Sequence, residues 1–330
     1  MTLRRLILPA AVLLVLSTAC AGEKAAAPTA SAAAVSKVKL GFSAWPGWFP
    51  WQVAEEQGLF AKNGVEVELK YFDSYTDSLN ALATGNIDAN SQTLNDTLAS
   101  AAGGAKETVV LVNDNSTGND QIIARDGLKS VADLKGRTVA AEQGTVDHYL
   151  LLLALRKAGL TESDVKFQPL PTDAAAAAFV AGRVDAVGVF APFTTTALKR
   201  PGSTAIATSS DFPGAIPDHL VVTRDMVDTD AKTVQALVNT WFDTLAWIGA
   251  NRPKALEIMA KRAGVGVADY ETYDKGTTIF TLERNRAAFA DDLPASAKQI
   301  SDFLVASKLV DTAPSLDGLL EPKFVQAVQP

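Results

Sequence analysis

The sequence predicts an α/β fold of two similar lobes facing each other across a ligand cleft. Three observations predict it. Strand-like and helix-like segments alternate from Lys37 onward, the pattern of a mainly parallel sheet with helices on both faces. The same unit returns roughly a hundred residues later, where Gly182-Arg183-Val184-Asp185-Ala186 matches Gly85-Asn86-Ile87-Asp88-Ala89. A later apolar segment, 219–223, reads as a strand returning to the first lobe.

The elements follow in order. Residues 38–42 read as a buried strand, and 51–62 as a helix stopped by Asn63-Gly64. Residues 65–69 form the next strand, 77–84 a helix, and 87–90 and 109–112 two more strands. In the second half, 138–141 matches the first strand and 148–158 the first helix, with Gly159 as its stop; 165–167 matches the second strand. Helix 233–250 places Leu237, Trp241, Leu245 and Ile248 on one face with Trp247 beside it, which is a core stripe. Asn251 and Pro253 start a helix that Gly264 ends, and 296–307 is a further helix. These assignments give lobe 1 as 37–120 plus 221–330 and lobe 2 as 121–220, with crossings near 118–121 and 219–222.

The first residues have a different character. Arg4 and Arg5 precede an apolar run over 6–16, then Ser17-Thr18-Ala19 and Cys20. This reads as a signal peptide over 1–19. The run is too short to span a bilayer as a mature helix. Cys20 is the expected lipid-attachment residue, and the Ala-rich stretch 20–36 a disordered tether. A plain secretory signal with an incidental cysteine is the alternative. Either reading places the body in the cell envelope, on the outer face of the cytoplasmic membrane or in the periplasm.

Composition removes several function classes. Hydrophobic residues make up 48% and charged residues 20% of the 330, which suits a globular protein with a full core. One cysteine allows no internal disulfide. A net charge of −7 argues against nucleic acid as partner. Two histidines, His148 and His219, leave little for a histidine-based metal site. The acids that could hold calcium are scattered over separate loops, so no metal and no cofactor is expected. Asp147-His148 alone is no nucleophile–base signal, and a binding protein is expected rather than an enzyme.

Ligands of open α/β sheets gather at the carboxyl ends of strands, and domain interfaces favour them too. The loops expected there are 43–48, 71–75, 91–96, 113–120, 142–148 and 190–193. They hold Asp73, Asp96, Asp114, Asp120, Glu142 and Asp147 but no lysine or arginine, in a chain of 30 basic and 37 acidic residues. An acidic cleft favours a cation or a solute rich in N–H donors, and aromatic faces add to that attraction. The expected site therefore has Trp45 and Trp48 stacking on a planar solute. Glu142, with one or two of Asp96, Asp114, Asp120 and Asp147, accepts its N–H groups. Gln92 and Asn115 complete the polar shell and Phe190 forms the opposite wall. Structural roles compete at several positions: helix capping for Asp73 and Asp147, Asx turns for Asp114 and Asn115, a solvated helix position for Asp96, and a hinge for Asp120.

Several stretches carry a family resemblance. Gly41-Phe42-Ser43-Ala44-Trp45-Pro46-Gly47-Trp48, the segment 56–64, Gly85-Asn86-Ile87-Asp88-Ala89 and the segment 133–139 resemble substrate-binding lipoproteins of bacterial ABC importers in the nitrate/sulfonate/taurine group. The segments 90–96, 113–120 and 189–193 are similar to a branch found beside urea carboxylase-type genes. The resemblance implies a two-lobed, type II-like periplasmic-binding-protein fold. It also implies delivery of a urea- or guanidinium-like solute to a permease and its ATPase. A monomer is the expected state for a shuttle that must close and dock. Relatives that carry oxyanions could use helix N-termini without any basic residue, so sulfonate, taurine or nitrate is the alternative solute.

Overall fold

A computed structural model describes residues 37–329; the signal peptide, Cys20 and the tether lie outside the described residues. The strands are β1 (Lys37–Phe42), β2 (Glu66–Tyr71), β3 (Ala89–Thr93), β4 (Glu107–Ser116), β5 (Asp120–Ala124), β6 (Thr138–Ala141), β7 (Lys166–Pro169), β8 (Ala186–Phe190), β9 (Thr204–Thr208), β10 (Pro217–Thr223) and β11 (Thr277–Ile279). They form two sheets, ordered β2-β1-β3-β10-β4-β11 and β7-β6-β8-β5-β9. Both follow one plan: second strand, first, third, a strand crossing from the other half, then fourth. The repeat seen in the sequence is thus a repeat of topology.

Among the named strands parallel pairing is confined to β1–β2, β1–β3, β6–β7 and β6–β8, with one parallel bridge from Val109 of β4 to Leu320. This narrows the mainly parallel sheet expected from the sequence. The crossing strands β5 and β10 run antiparallel to both neighbours. Each comes from the opposite sheet, enters its host at the facing edge and runs away from it, against the direction of β3 or β8. The two connections lie side by side: the Ser116 and Ser209 hydroxyls are 2.7 Å apart, and the Gly118 amide donates to Ser209 Oγ at 2.7 Å. Gly118 has φ 145°, a conformation that only glycine adopts without strain.

Other local differences have physical causes. The helix expected over 51–62 is divided into Pro50–Glu56 and Leu59–Lys62 at Gly58. The stretch expected as a loop after β3 is instead the start of helix Leu94–Ala102, because Thr93 caps it by accepting the Asp96 amide. β4 runs on to Ser116, so Asp114 and Asn115 are strand residues; β10 and β11 pair with this polar end from both sides. The core reading of helix Ala231–Ala250 agrees with the packing: Trp241 is fully buried 4.8 Å from the Trp51 ring, and Trp51 Nε1 donates to Ser91 Oγ. Among the described residues no helix is long and apolar enough to cross a membrane.

Candidate functional site

The shared plan of the two sheets brings equivalent residues to one place. Thr93 is the last residue of β3, and Phe190 the last of β8. Beside each lies an aspartate from a crossing strand: Asp218 opposite Thr93 and Asp120 opposite Phe190. All four line one inner cavity of about 10 Å³, together with Trp45, Trp48, Tyr75, Val146 and Ile216. Among the described residues no lysine, arginine or histidine lines it.

Four aromatic rings close a circuit around that space. Centroids are 6.3 Å apart for Trp45–Trp48, 5.5 Å for Trp48–Tyr75, 6.2 Å for Tyr75–Phe190 and 6.3 Å for Phe190–Trp45. Three of these rings follow strands of the first sheet and the fourth ends β8 of the second, so the box exists only where the sheets meet. Polar bonds fix the rings. Trp45 Nε1 donates to Asp114 Oδ1 at 2.9 Å, and the Tyr75 hydroxyl accepts the Thr93 amide at 3.0 Å. Gly47, between the tryptophans, lies so close to Asp114 that a Cβ there would collide with the carboxylate.

Beyond Tyr75 and Phe190 lies a second, outer space of about 10 Å³, reached by Asp73, Glu142, Thr172 and Asp173. Glu142 bridges the two sheets: its Oε1 accepts from Thr76 Oγ1 at 2.5 Å and its Oε2 from Thr172 Oγ1 at 2.8 Å. A second bridge starts at Asp96, whose Oδ2 accepts the Val146 amide at 3.3 Å and Thr93 Oγ1 at 2.7 Å. Val146 opens helix Val146–Lys157. A carboxylate therefore already occupies the helix N-terminus at the cavity, where an anionic ligand would be held.

Burial dominates the electrostatics. It pushes the carboxyls of Asp96, Asp114 and Asp120 up to about 7. Asp147 and Asp218 are raised well above the usual carboxylate range, first by burial; for Asp218 the facing Asp114 adds to it. Asp114 Oδ2, Asp120 Oδ2, Asp147 Oδ1 and Asp218 Oδ2 are buried without hydrogen-bond partners, as is the donor Trp48 Nε1. Such a site disfavours its own negative charge and gains from a cation that restores it. Among the described residues no group of three or more His, Cys, Asp or Glu could hold a metal ion.

The model of the NMT1-like family matches residues 31–264. The chain belongs to the NMT1-like family. It is 29% identical over 235 residues to a Brucella abortus protein named as a binding protein, covering 70% of this chain and 72% of that one. It is 25% identical over 289 residues to the taurine-binding periplasmic protein of Escherichia coli, covering 84% and 89%. Among solved structures, the alkanesulfonate-binding protein SsuA from Xanthomonas axonopodis pv. citri, bound to MOPS, aligns with a TM-score of 0.73 at 21% identity, covering 87% and 98%. That likeness establishes a two-lobed periplasmic solute-binding fold.

Within this NMT1-like fold, the residues singled out in the sequence separate into groups. Trp45, Trp48, Asp120 and Phe190 line the inner cavity. Glu142 lies in the outer space. Asp114 sits behind Trp45, and Asp96 and Asp147 are buried beside the cavity, Asp147 accepting from Thr172 at 2.6 Å. Gln92 and Asn115 are placed elsewhere. Gln92 Nε2 donates to Glu107 at 3.1 Å and to Thr97 at 3.0 Å, beneath helix Leu94–Ala102. Asn115 Nδ2 donates to the Ser116 carbonyl. His148 is stacked on Phe167 and bonded to Glu162, and His219 is buried and held neutral at about 3. Sequence reasoning passes over Asp218, Tyr75 and Thr93 as site residues. The repeat contains the signal for Asp218: Asp120 stands beside Phe190, so the matching position beside Thr93 is also a crossing-strand residue.

Proposed function

We propose that this protein is the extracytoplasmic solute-binding component of an ABC importer, and that its solute is a small planar cation rich in N–H groups, of the guanidinium type. The observation that carries this reading is the cavity walled by four rings with Asp120 and Asp218, two buried acids with unpartnered oxygens, and lined by no lysine, arginine or histidine among the described residues. Ring faces attract a cation through their quadrupoles, and carboxylates accept paired N–H donors from a planar fork. With a volume of about 10 Å³ the inner cavity has room for one water-sized group in this state, so a planar solute of a few heavy atoms would enter as the lobes part. The periplasmic relatives support an extracytoplasmic location and delivery to a permease and its ATPase. Lobe 1 (37–120 plus 221–330) and lobe 2 (121–220) would close about the two adjacent crossings, a hinge movement. A lipid anchor at Cys20 would hold the protein, working as a monomer, at the membrane.

A second reading is an oxyanion such as taurine, another sulfonate or nitrate. The names of the relatives favour it, and the unpartnered Trp48 Nε1 offers one donor to an acceptor oxygen. Against it stand the acids around the box and the helix N-terminus taken by Asp96. Isothermal titration of the purified protein with guanidinium chloride, urea, taurine and nitrate decides between them. Guanidinium should bind most tightly. Tight binding of taurine or nitrate with no response to guanidinium would reject the cationic reading.

A further inference from the structure

Asp114 and Asp218 are cross-strand partners, directly opposite each other in the antiparallel β4–β10 pair. Both are fully buried, at 0% and 1% exposure, and each has one carboxyl oxygen with no partner but the other carboxyl. Side chains so placed lie within direct reach, and two like charges there repel. The groups that bear on the pair do not relieve this. Asp120 faces it from β5, Asp96 from helix Leu94–Ala102, Tyr75 from helix Tyr75–Ala83 and Tyr270 from helix Val267–Tyr273. Trp45 gives Asp114 one N–H bond. His219, next along β10, is buried and neutral. Two carboxyls in such surroundings do not ionise together; they titrate as one unit. Only Asp218 of the two lines the cavity, so a solute acts on the pair through it.

From this we infer that Asp218, with Asp114 behind it, selects the charge of the solute: the empty site holds one proton between these two carboxyls, a cation expels it, and a neutral molecule of the same shape does not. The inference rests on the cationic reading above and sharpens it to guanidinium over the isosteric urea. The chemistry balances simply. The shared O–H bond breaks, its proton passes to the solvent buffer, and the cation's positive charge replaces that of the lost proton. Urea brings no charge, so it meets the protonated pair and leaves it protonated.

The test is titration calorimetry of the full protein with guanidinium chloride and with urea, in buffers of different ionisation enthalpy. Guanidinium should release up to about one proton per site near pH 7, and its affinity should rise with pH by up to about tenfold per unit until the pair is ionised in the free protein. Urea should bind at least about a hundredfold more weakly, with no dependence on pH. In Asp218→Asn the proton release should vanish, and guanidinium should fall to within about tenfold of urea. Asp114→Asn should likewise abolish the release, whereas Asp120→Asn, which removes the cavity's other raised carboxyl, should leave it in place; release lost in Asp120→Asn and kept in Asp218→Asn would overturn the inference. Guanidinium binding with no proton release and a flat pH profile would overturn this inference and leave the cationic reading intact. No guanidinium binding at any pH would overturn both.

Discussion

At the scale of single residues, the cavity depends on a close approach. Gly47 leaves room for Asp114 to sit against the turn and accept Trp45 Nε1, and a Cβ at this position would strike the carboxylate. Gly47→Ala is therefore expected to cost about 1–3 kcal/mol of stability, as overpacking does. A urea-unfolding midpoint measured at constant m reads this directly, and a change under about 0.5 kcal/mol would show that the turn yields freely. The residues of the box differ in how legible they are. Trp45 and Trp48 stand out because two tryptophans in a Pro/Gly turn must be covered by something. Asp218 escapes because the returning strand reads as starting at His219, whereas pairing with β4 carries it back to Pro217. Gln92 differs in the other direction: its residue type suits a polar shell, and a buried Glu107, 15 residues on, holds its amide beside the neighbouring helix.

Among the elements, apolar periodicity marks the strands and helices, and the differences fall where polar residues build regular structure. Asp114, Asn115 and Ser116 resemble a loop in composition, but β10 and β11 supply their ladder partners from distant sequence. Leu94–Ala102 begins in an equally polar stretch, and its start is set by the Thr93 cap. Asp96, in the first turn of that helix, reaches across to the Val146 amide that opens helix Val146–Lys157. One carboxylate thus ties an element of the first sheet's half to an element of the second's. Asp96→Ala would leave the Thr93 hydroxyl, the Asn95 amide and the Val146 N–H without this acceptor. The expected loss is about 1–3 kcal/mol, the cost of stranding buried polar groups. Equilibrium unfolding of the variant checks this. An unchanged or raised stability would mean that relief from burying the acid outweighs its three bonds.

At the scale of the whole molecule, the duplicated plan sets the acids together and so sets how stability depends on pH. Two crossing strands each bring an aspartate to the meeting edge, and the turns around them add more. Asp96, Asp114, Asp120 and the separate Glu107 are raised to about 7, and Asp147 and Asp218 are raised well above their usual range, all mainly by burial. A carboxyl whose folded pKa is raised contributes stability that is complete below its unfolded value, near 4, and lost as pH climbs through its folded value. His219 and His148 oppose this, since burial lowers both and their contribution fades as pH drops below their usual value. Six acids outweigh two histidines, so the ligand-free protein should melt at higher temperature near pH 5 than near pH 8. Below about pH 4 the trend should reverse, because Asp133, Asp164, Asp185 and Asp243 are lowered by their hydrogen-bond and charged partners and lose that stabilisation on protonation. A cationic solute reverses the upper limb, because it binds the ionised site and supplies the charge that burial withholds. The melting shift it produces should therefore be larger near pH 8 than near pH 5. Differential scanning calorimetry across this range, with and without guanidinium chloride, measures both slopes. A ligand-free melting temperature that falls steadily from pH 8 to pH 5 would show that the buried acids are not ionising where their surroundings place them.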